Sequence, residues 1–309
     1  MSKTNKSNTI SYQNATGPVV IPMTNDYLFK AMLQSNRVAL TGLIAALLHE
    51  EPRNIKRVHV ENPIILGETV DEKTVILDLN VTFNNGMRIN LELQVVNQDN
   101  WTERSTYYAC RNFATLNKGR DYSKVKPLYQ IGILDFSIFP DHPSFYSTYQ
   151  LRDSRNHWLY TDKLTIGVLD LTNIALAGSI DRRYNINEWA ALFKAKTWEE
   201  IKMVAGKNKA IGEAAKTIYT LSEDERIRLQ CEAREDYFKQ KRDSARRNRE
   251  LIKELKVKDK EIEGKDKALE EKDKALEEKN KALEEKNKAL AEKDAIIAEL
   301  EARLKSGQV

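Results

Sequence analysis

Two acidic residues lie where their neighbours impose a geometry on them. Over Val75-Ile76-Leu77-Asp78-Leu79-Asn80-Val81-Thr82-Phe83 every second residue from Val75 is apolar, and Met87, Ile89, Leu91, Leu93 and Val95 alternate with Arg88, Asn90, Glu92 and Gln94. A period of two marks strands with one buried face, and Asn84-Asn85-Gly86 between them is a turn signal. Residues opposed across antiparallel strands share a face, so paired positions must sum to an even number. A three-residue loop pairs Phe83 with Met87 and gives Gly86 the left-handed position. It sets Asp78 opposite Glu92, Asn80 opposite Asn90, and Thr82 opposite Arg88. A two-residue Asn85-Gly86 turn would instead oppose an apolar residue to a polar one at every step. Opposed carboxylates have Cβ atoms about 4.5–5.5 Å apart and repel each other. Two arrangements relieve this. Either both point into water from a solvated polar face, or a divalent cation sits between them, with Mg²⁺ (or Mn²⁺) the best match to hard oxygen ligands.

The elements that must hold this hairpin can be read on either side of it. Residues 1–23 are polar and aperiodic and are expected to form a disordered arm. A helix begins at Thr24-Asn25-Asp26, with Thr24 or Asn25 as cap and Tyr27, Leu28, Ala31, Met32 and Leu33 at helical spacing. A second runs from Val38 to His49 and is ended by Pro52. After the hairpin comes a helix carrying Tyr107, Tyr108, Cys110, Phe113, Ala114 and Leu116, stopped at Gly119. Leu128–Phe136 reads as a strand buried on both faces. Tyr146–Arg152 and Leu164–Leu171 are further strands, and residues 187–222 read as helices.

From Ser222 the chain is polar and helix-prone, and it ends in a seven-residue repeat. Ile262, Leu269, Leu276, Leu283, Leu290, Ile297 and Leu304 recur at that spacing, the period of a left-handed coiled coil. With these at d, the a positions are Asp266, Asp273, Asn280, Asn287 and Asp294; with these at a, the d positions are Lys265, Lys272, Lys279, Lys286 and Lys293. Two outcomes stay open. One is a solitary helix held by Lys–Glu pairs four apart, each worth about 0.2–0.5 kcal/mol. The other is a homo-oligomer formed weakly through residues 250–305, with a buried Asn setting its register.

Composition narrows the class. The chain has 309 residues, with 50 Lys and Arg against 46 Asp and Glu. The excess is local: residues 226–249 hold 9 basic and 4 acidic residues, whereas residues 250–309 hold 15 and 17. No stretch reaches the roughly 18 apolar residues of a membrane span, and MSKTNKSNTISYQNATGP lacks the apolar stretch of a secretory signal. The two cysteines, Cys110 and Cys231, fit a reducing cytoplasm and exclude a Cys-based zinc site. The four histidines show no ligand spacing, and the absence of a Walker or G-x-G-x-x-G loop excludes a nucleotide cofactor held that way.

Lys73, Asp78 and Glu92-x-Gln94 resemble the Asp…Glu-x-Lys core of the PD-(D/E)xK nuclease superfamily, with Gln94 in the Lys position. More closely, an ordered set of blocks resembles the Rpn family of recombination-promoting nucleases and transposases. The blocks are Asn25-Asp26-Tyr27-Leu28-Phe29-Lys30, Leu77-Asp78-Leu79 with Leu91-Glu92-Leu93-Gln94, and Arg104-Ser105-Thr106-Tyr107-Tyr108. They continue through Gly119, Tyr122 and Lys126-Pro127, then Gln130-Ile131-x-Ile133-Leu134 and Trp189-x2-Leu192-Phe193. The resemblance implies an α/β restriction-endonuclease-like fold, a mixed sheet flanked by helices, over residues 24–225. A basic helical segment, 226–249, and a heptad-repeat helix or coiled coil, 250–309, would follow.

The same resemblance implies a metal-dependent DNA endonuclease that could promote recombination or transposition. Asp78 and Glu92 would hold the metal with the Leu93 backbone carbonyl, and Gln94 would orient water or phosphate without supplying charge. Asp26 is a candidate third acid, or only a helix N-terminal acid interacting with the macrodipole. Lys30, Arg104 and Tyr108 are candidate DNA contacts, against solvated or core roles. Lys239, Lys241, Arg242, Arg246, Arg247 and Arg249 are candidate phosphate contacts, against a solvated helix face. A different class also fits: a nuclease-derived DNA-binding or assembly module with little turnover, oligomerised through the tail.

Overall fold

The computed structural model describes residues 11–64, 78–84, 86–114 and 121–305. Lys73, the Val75–Leu77 part of the first expected strand, Asn85 and the expected helix stop at Gly119 lie outside them.

Among the described residues six strands form one mixed sheet in the order β1-β2-β3-β4-β6-β5: β1 Val58–Val60, β2 Leu79–Phe83, β3 Met87–Gln94, β4 Leu128–Leu134, β5 Tyr146–Gln150 and β6 Leu164–Asp170. The hairpin register is the one that face parity demands. Leu79 pairs with Leu91, Asn80 with Asn90, Thr82 with Arg88 and Phe83 with Met87. Gly86 takes φ +84° and its N–H donates to the Phe83 carbonyl at 3.2 Å. The ladder starts at Leu79, so Asp78 stands one residue outside it, on the register line that leads to Glu92. β3, β4 and β6 run parallel, which makes β3 and β4 interior strands.

Odd-numbered side chains of the central strands build the main core. Leu79, Val81, Ile89, Leu91, Leu93, Ile131 and Ile133 pack with buried residues of α1 (Asp26–Ser35), α2 (Arg37–Leu47), α5 (Ile186–Lys194), α6 (Trp198–Ala205) and α7 (Lys209–Glu223); α4 (Ser179–Arg183) precedes α5. α3 (Trp101–Phe113) covers the other face, where Trp101 packs with Leu134 and Val168. Gly132 makes this possible. A Cβ there would lie 2.1 Å from the Trp101 ring, and Gly132 is the register partner of Glu92. Gly132→Ala is therefore expected to lift the start of α3 off the sheet and cost about 1–3 kcal/mol. Urea unfolding of the two proteins measures it, and equal midpoints would refute the packing argument.

Residues 11–23, the described part of the expected arm, lie against the fold. Ile21 and Met23 are buried, Tyr12, Ala15 and Val19 pack against the core, and the Val19 N–H donates to the Lys196 carbonyl at 2.9 Å. A few well-placed apolar side chains anchor a segment whose composition is otherwise polar. α8 is one helix from Glu225 to Lys305, and the chain divides into compact units at 245/246. Within the first unit Ile227 and Cys231 enter the main core and Phe238 is buried. In the second unit every described side chain is exposed. No helix among the described residues is long and apolar enough to cross a membrane.

Candidate active site

Among the described residues the β2–β3 ladder ends at Leu79 and Leu91, and the three residues that follow on β3 open onto a cleft of about 220 Å³. Glu92, Leu93 and Gln94 form one wall, at the carboxyl end of a parallel strand, where α/β sheets place their ligands. On β3 the polar face is buried, with Asn90 1% exposed, Glu92 3% and Gln94 8%, whereas Asp78 is half-buried. For Glu92, that removes water as the relief for acidic repulsion. Burial pushes the Glu92 carboxyl up to about 7; Arg104 pulls it back and the Asp78 carboxylate adds to the rise. A buried carboxyl that stays raised even with Arg104 beside it fits a site that takes additional positive charge.

α3 supplies the first cation. Arg104 reaches back over the sheet, its Nη2 paired with Glu92 Oε1 and its Nη1 donating to Gln94 Oε1 at 3.3 Å. Its guanidinium lies 5.9 Å from the half-buried Tyr108 ring, one turn along the helix. Gln94 is held from both ends, since its Nε2 donates to the Val96 carbonyl at 3.0 Å. Leu93 puts its side chain in the core while lining the cleft, which turns its backbone toward the cavity.

Asp78 sits beside the cleft in a hydrogen-bonded ladder across three strands. Gln130 Nε2 donates to Asn90 Oδ1 at 2.8 Å, and Asn90 Nδ2 donates to Asp78 Oδ2 at 2.5 Å and to Asn80 Oδ1 at 2.7 Å. One Asp78 carboxylate oxygen is thus fixed from within the sheet. The Asp78 backbone carbonyl accepts from Lys30 Nζ and from Asn62 Nδ2, both at 3.0 Å. Lys30 is 3% exposed, and burial lowers its pKa against the pull of Asp78 and Asp26. This contact fastens α1 to the start of β2.

Asp26 enters the cleft from α1, but not as an open ligand. Arg234 of α8 donates from Nε to Asp26 Oδ1 at 3.0 Å and from Nη2 to Oδ2. Burial pushes the Asp26 carboxyl up and Arg234 pulls it down. The neighbouring N-cap Asn25 also grips α8, donating to the Cys231 carbonyl at 2.9 Å and to Glu235 Oε1 at 3.0 Å. Tyr237 and Phe238 lie beneath the Arg234 guanidinium, with ring centres at 4.8 and 5.1 Å.

The basic segment is thereby split. Lys241 lines the cleft, with Nζ 5.4 Å from the Tyr237 ring centre, and its neighbours Lys239 and Arg242 are exposed. Arg246, Arg247 and Arg249 belong to the second unit and are exposed. Asn90, Gln130, Arg234 and Tyr237 were not anticipated. Arg234 left a trace in the sequence: with Ile227, Cys231 and Phe238 it completes an apolar helical stripe, and an arginine there needs a buried partner.

Among the described residues no three His, Cys, Asp or Glu side chains group as a metal site. The groups available to a divalent cation here are the Glu92 carboxyl and the Leu93 backbone on the cleft wall, with the Asp78 carboxylate beside it. No curated protein and no solved structure matches the chain. The family described as PD-(D/E)XK nuclease family transposase matches residues 23–248, a range that takes in the sheet, the cleft and the α8 residues that wall it. The chain belongs to the PD-(D/E)XK nuclease family of transposases.

Proposed function

We propose that the protein is a Mg²⁺-dependent DNA endonuclease whose active site is the cleft around Glu92. The observation that carries this reading is the Glu92 carboxyl. It is nearly sealed from water and pushed up to about 7, beside the Asp78 carboxylate and the Gln94 amide. A buried, raised carboxyl lining a cleft beside a second acid is the environment in which a cation or catalytic site is built. A bound divalent cation would acidify water and offset the charge that grows on a phosphoryl group during hydrolysis.

The chain's own residues supply the rest. Asn90 orients Asp78 through its carboxylate Oδ2. Gln94 offers an amide oxygen for a water or an amide N–H for a phosphate oxygen, and gives no charge. Arg104 neutralises Glu92 in the metal-free chain. With Glu92 engaged elsewhere, the same guanidinium would be free for a phosphate, which its planar fork matches. Arg234 holds Asp26 in the cleft wall, and Lys241 adds a cation there that no carboxylate among the described residues engages. Lys239 and Arg242 extend that positive charge along α8 to the DNA backbone.

Supercoiled plasmid incubated with Mg²⁺ and the whole chain tests the reading. Nicking is expected with wild type and is expected to drop to background with Asp78→Asn or Glu92→Gln. The Arg104–Glu92 pair favours one competing outcome, a DNA-binding module with little turnover. Retarded migration of DNA by wild type without nicking, at any Mg²⁺ or Mn²⁺ level, would establish that module instead.

A further inference from the structure

The heptad tail carries an inference that does not depend on the nuclease reading. In residues 246–305 the apolar residue of each heptad, from Ile262 through Leu269 to Leu304, is more than half exposed. Seven such residues on one line of a helix form an unpartnered stripe, and its flanks say what fits it.

With the stripe at d, every g position from 258 to 279 is lysine, namely Lys258, Lys265, Lys272 and Lys279. Each e position that follows five residues later is glutamate, namely Glu263, Glu270, Glu277 and Glu284. In a parallel, in-register pair of helices, g of one strand meets e of the next heptad on the other. All four steps then oppose Lys to Glu, on both sides of the pair. An antiparallel pair sets g against g and e against e, so Lys would meet Lys and Glu would meet Glu. Glu270 accepts from Lys274 within its own helix at 2.8 Å through Oε1, which leaves Oε2 for a second lysine. The a positions agree with the parallel choice. Asn280 and Asn287 each face their own copy there, and a self-paired amide at a favours two strands in one register. Asp266, Asp273 and Asp294 face themselves as well, and this repulsion makes the association concentration-dependent instead of permanent.

We infer that residues 252–304 are a parallel, in-register, two-stranded docking surface for a second copy of this chain. Two copies would supply two clefts, one for each strand of a duplex. That consequence rests on the nuclease reading, whereas the association is measured with no DNA present.

Sedimentation of the full chain across the micromolar range is expected to show a monomer–dimer equilibrium. Lys265→Glu with Lys272→Glu should weaken it about tenfold or more, and adding Glu270→Lys with Glu277→Lys should restore it. In a Cys110→Ser background, Asp266→Cys and Asn287→Cys are oxidised separately. A parallel register predicts that each forms a disulfide dimer with its own copy, because each position meets itself. An antiparallel pair allows at most one of the two. A monomer at every concentration, a mass above dimer, linking at only one position or neither, or charge reversal without effect would each overturn the proposal.

Discussion

Arg234→Ala is expected to destabilise the folded unit by about 3–5 kcal/mol, the cost of leaving one member of a buried ion pair alone. Arg234 and Asp26 side chains are 9% and 6% exposed, and two guanidinium nitrogens hold both carboxylate oxygens. Without the arginine, Asp26 must keep a charge in an apolar wall or take up a proton, and the stacked Tyr237 and Phe238 rings lose their packing partner. Urea unfolding at pH 7 measures the loss. Removing both partners, as Asp26→Leu with Arg234→Met, should recover most of it, because no unpaired charge then remains. A single mutant within 1 kcal/mol of wild type would refute the clamp. Ending the chain before residue 225 should resemble Arg234→Ala, whereas ending it at 245 should leave folding intact.

The second large effect is a pH dependence carried by Glu92. Its carboxyl titrates near 7 in the folded chain and at 4.5 as an ordinary glutamate. The folded state therefore holds the proton more tightly. The resulting stabilisation is fully present below pH 4.5 and is lost as the pH rises through about 7. With the side chain 4% exposed, the loss amounts to about 3 kcal/mol for a shift of this size. Metal-free protein should lose stability over that window, and Glu92→Gln should flatten the curve. Arg104→Ala should carry the loss to higher pH and enlarge it, since Arg104 is what pulls the carboxyl down. Above pH 7, Mg²⁺ should restore stability to wild type and not to Glu92→Gln, because a ligand stabilises only the state that binds it. Parallel pH curves for wild type and Glu92→Gln would show that the acid is not under this strain.

The hairpin and its register were legible from residue types alone. Period-two alternation fixes which side chains share a face, and parity then leaves a single loop length. The helical stripes of α1, α2 and α5 and the doubly buried β4 follow from the same arithmetic of 3.6 and 2. The heptad of the tail is equally local, so its pattern and its charge complementarity can be read without any fold.

What the tertiary structure decided is everything that depends on contacts between distant residues. Alternation shows that Asn90, Glu92 and Gln94 share a face, but not that α3 will seal it from water. Only β4 beside β3, with Gly132 admitting Trp101, does that. Asp26 reads as a helix-start acid until Arg234, 208 residues away, closes on it. Lys30 reads as a surface lysine until the Asp78 carbonyl claims it. Periodicity encodes which way a side chain points relative to its own element. Burial, pairing and pKa depend on what the other elements bring to that side, and a local pattern cannot carry that.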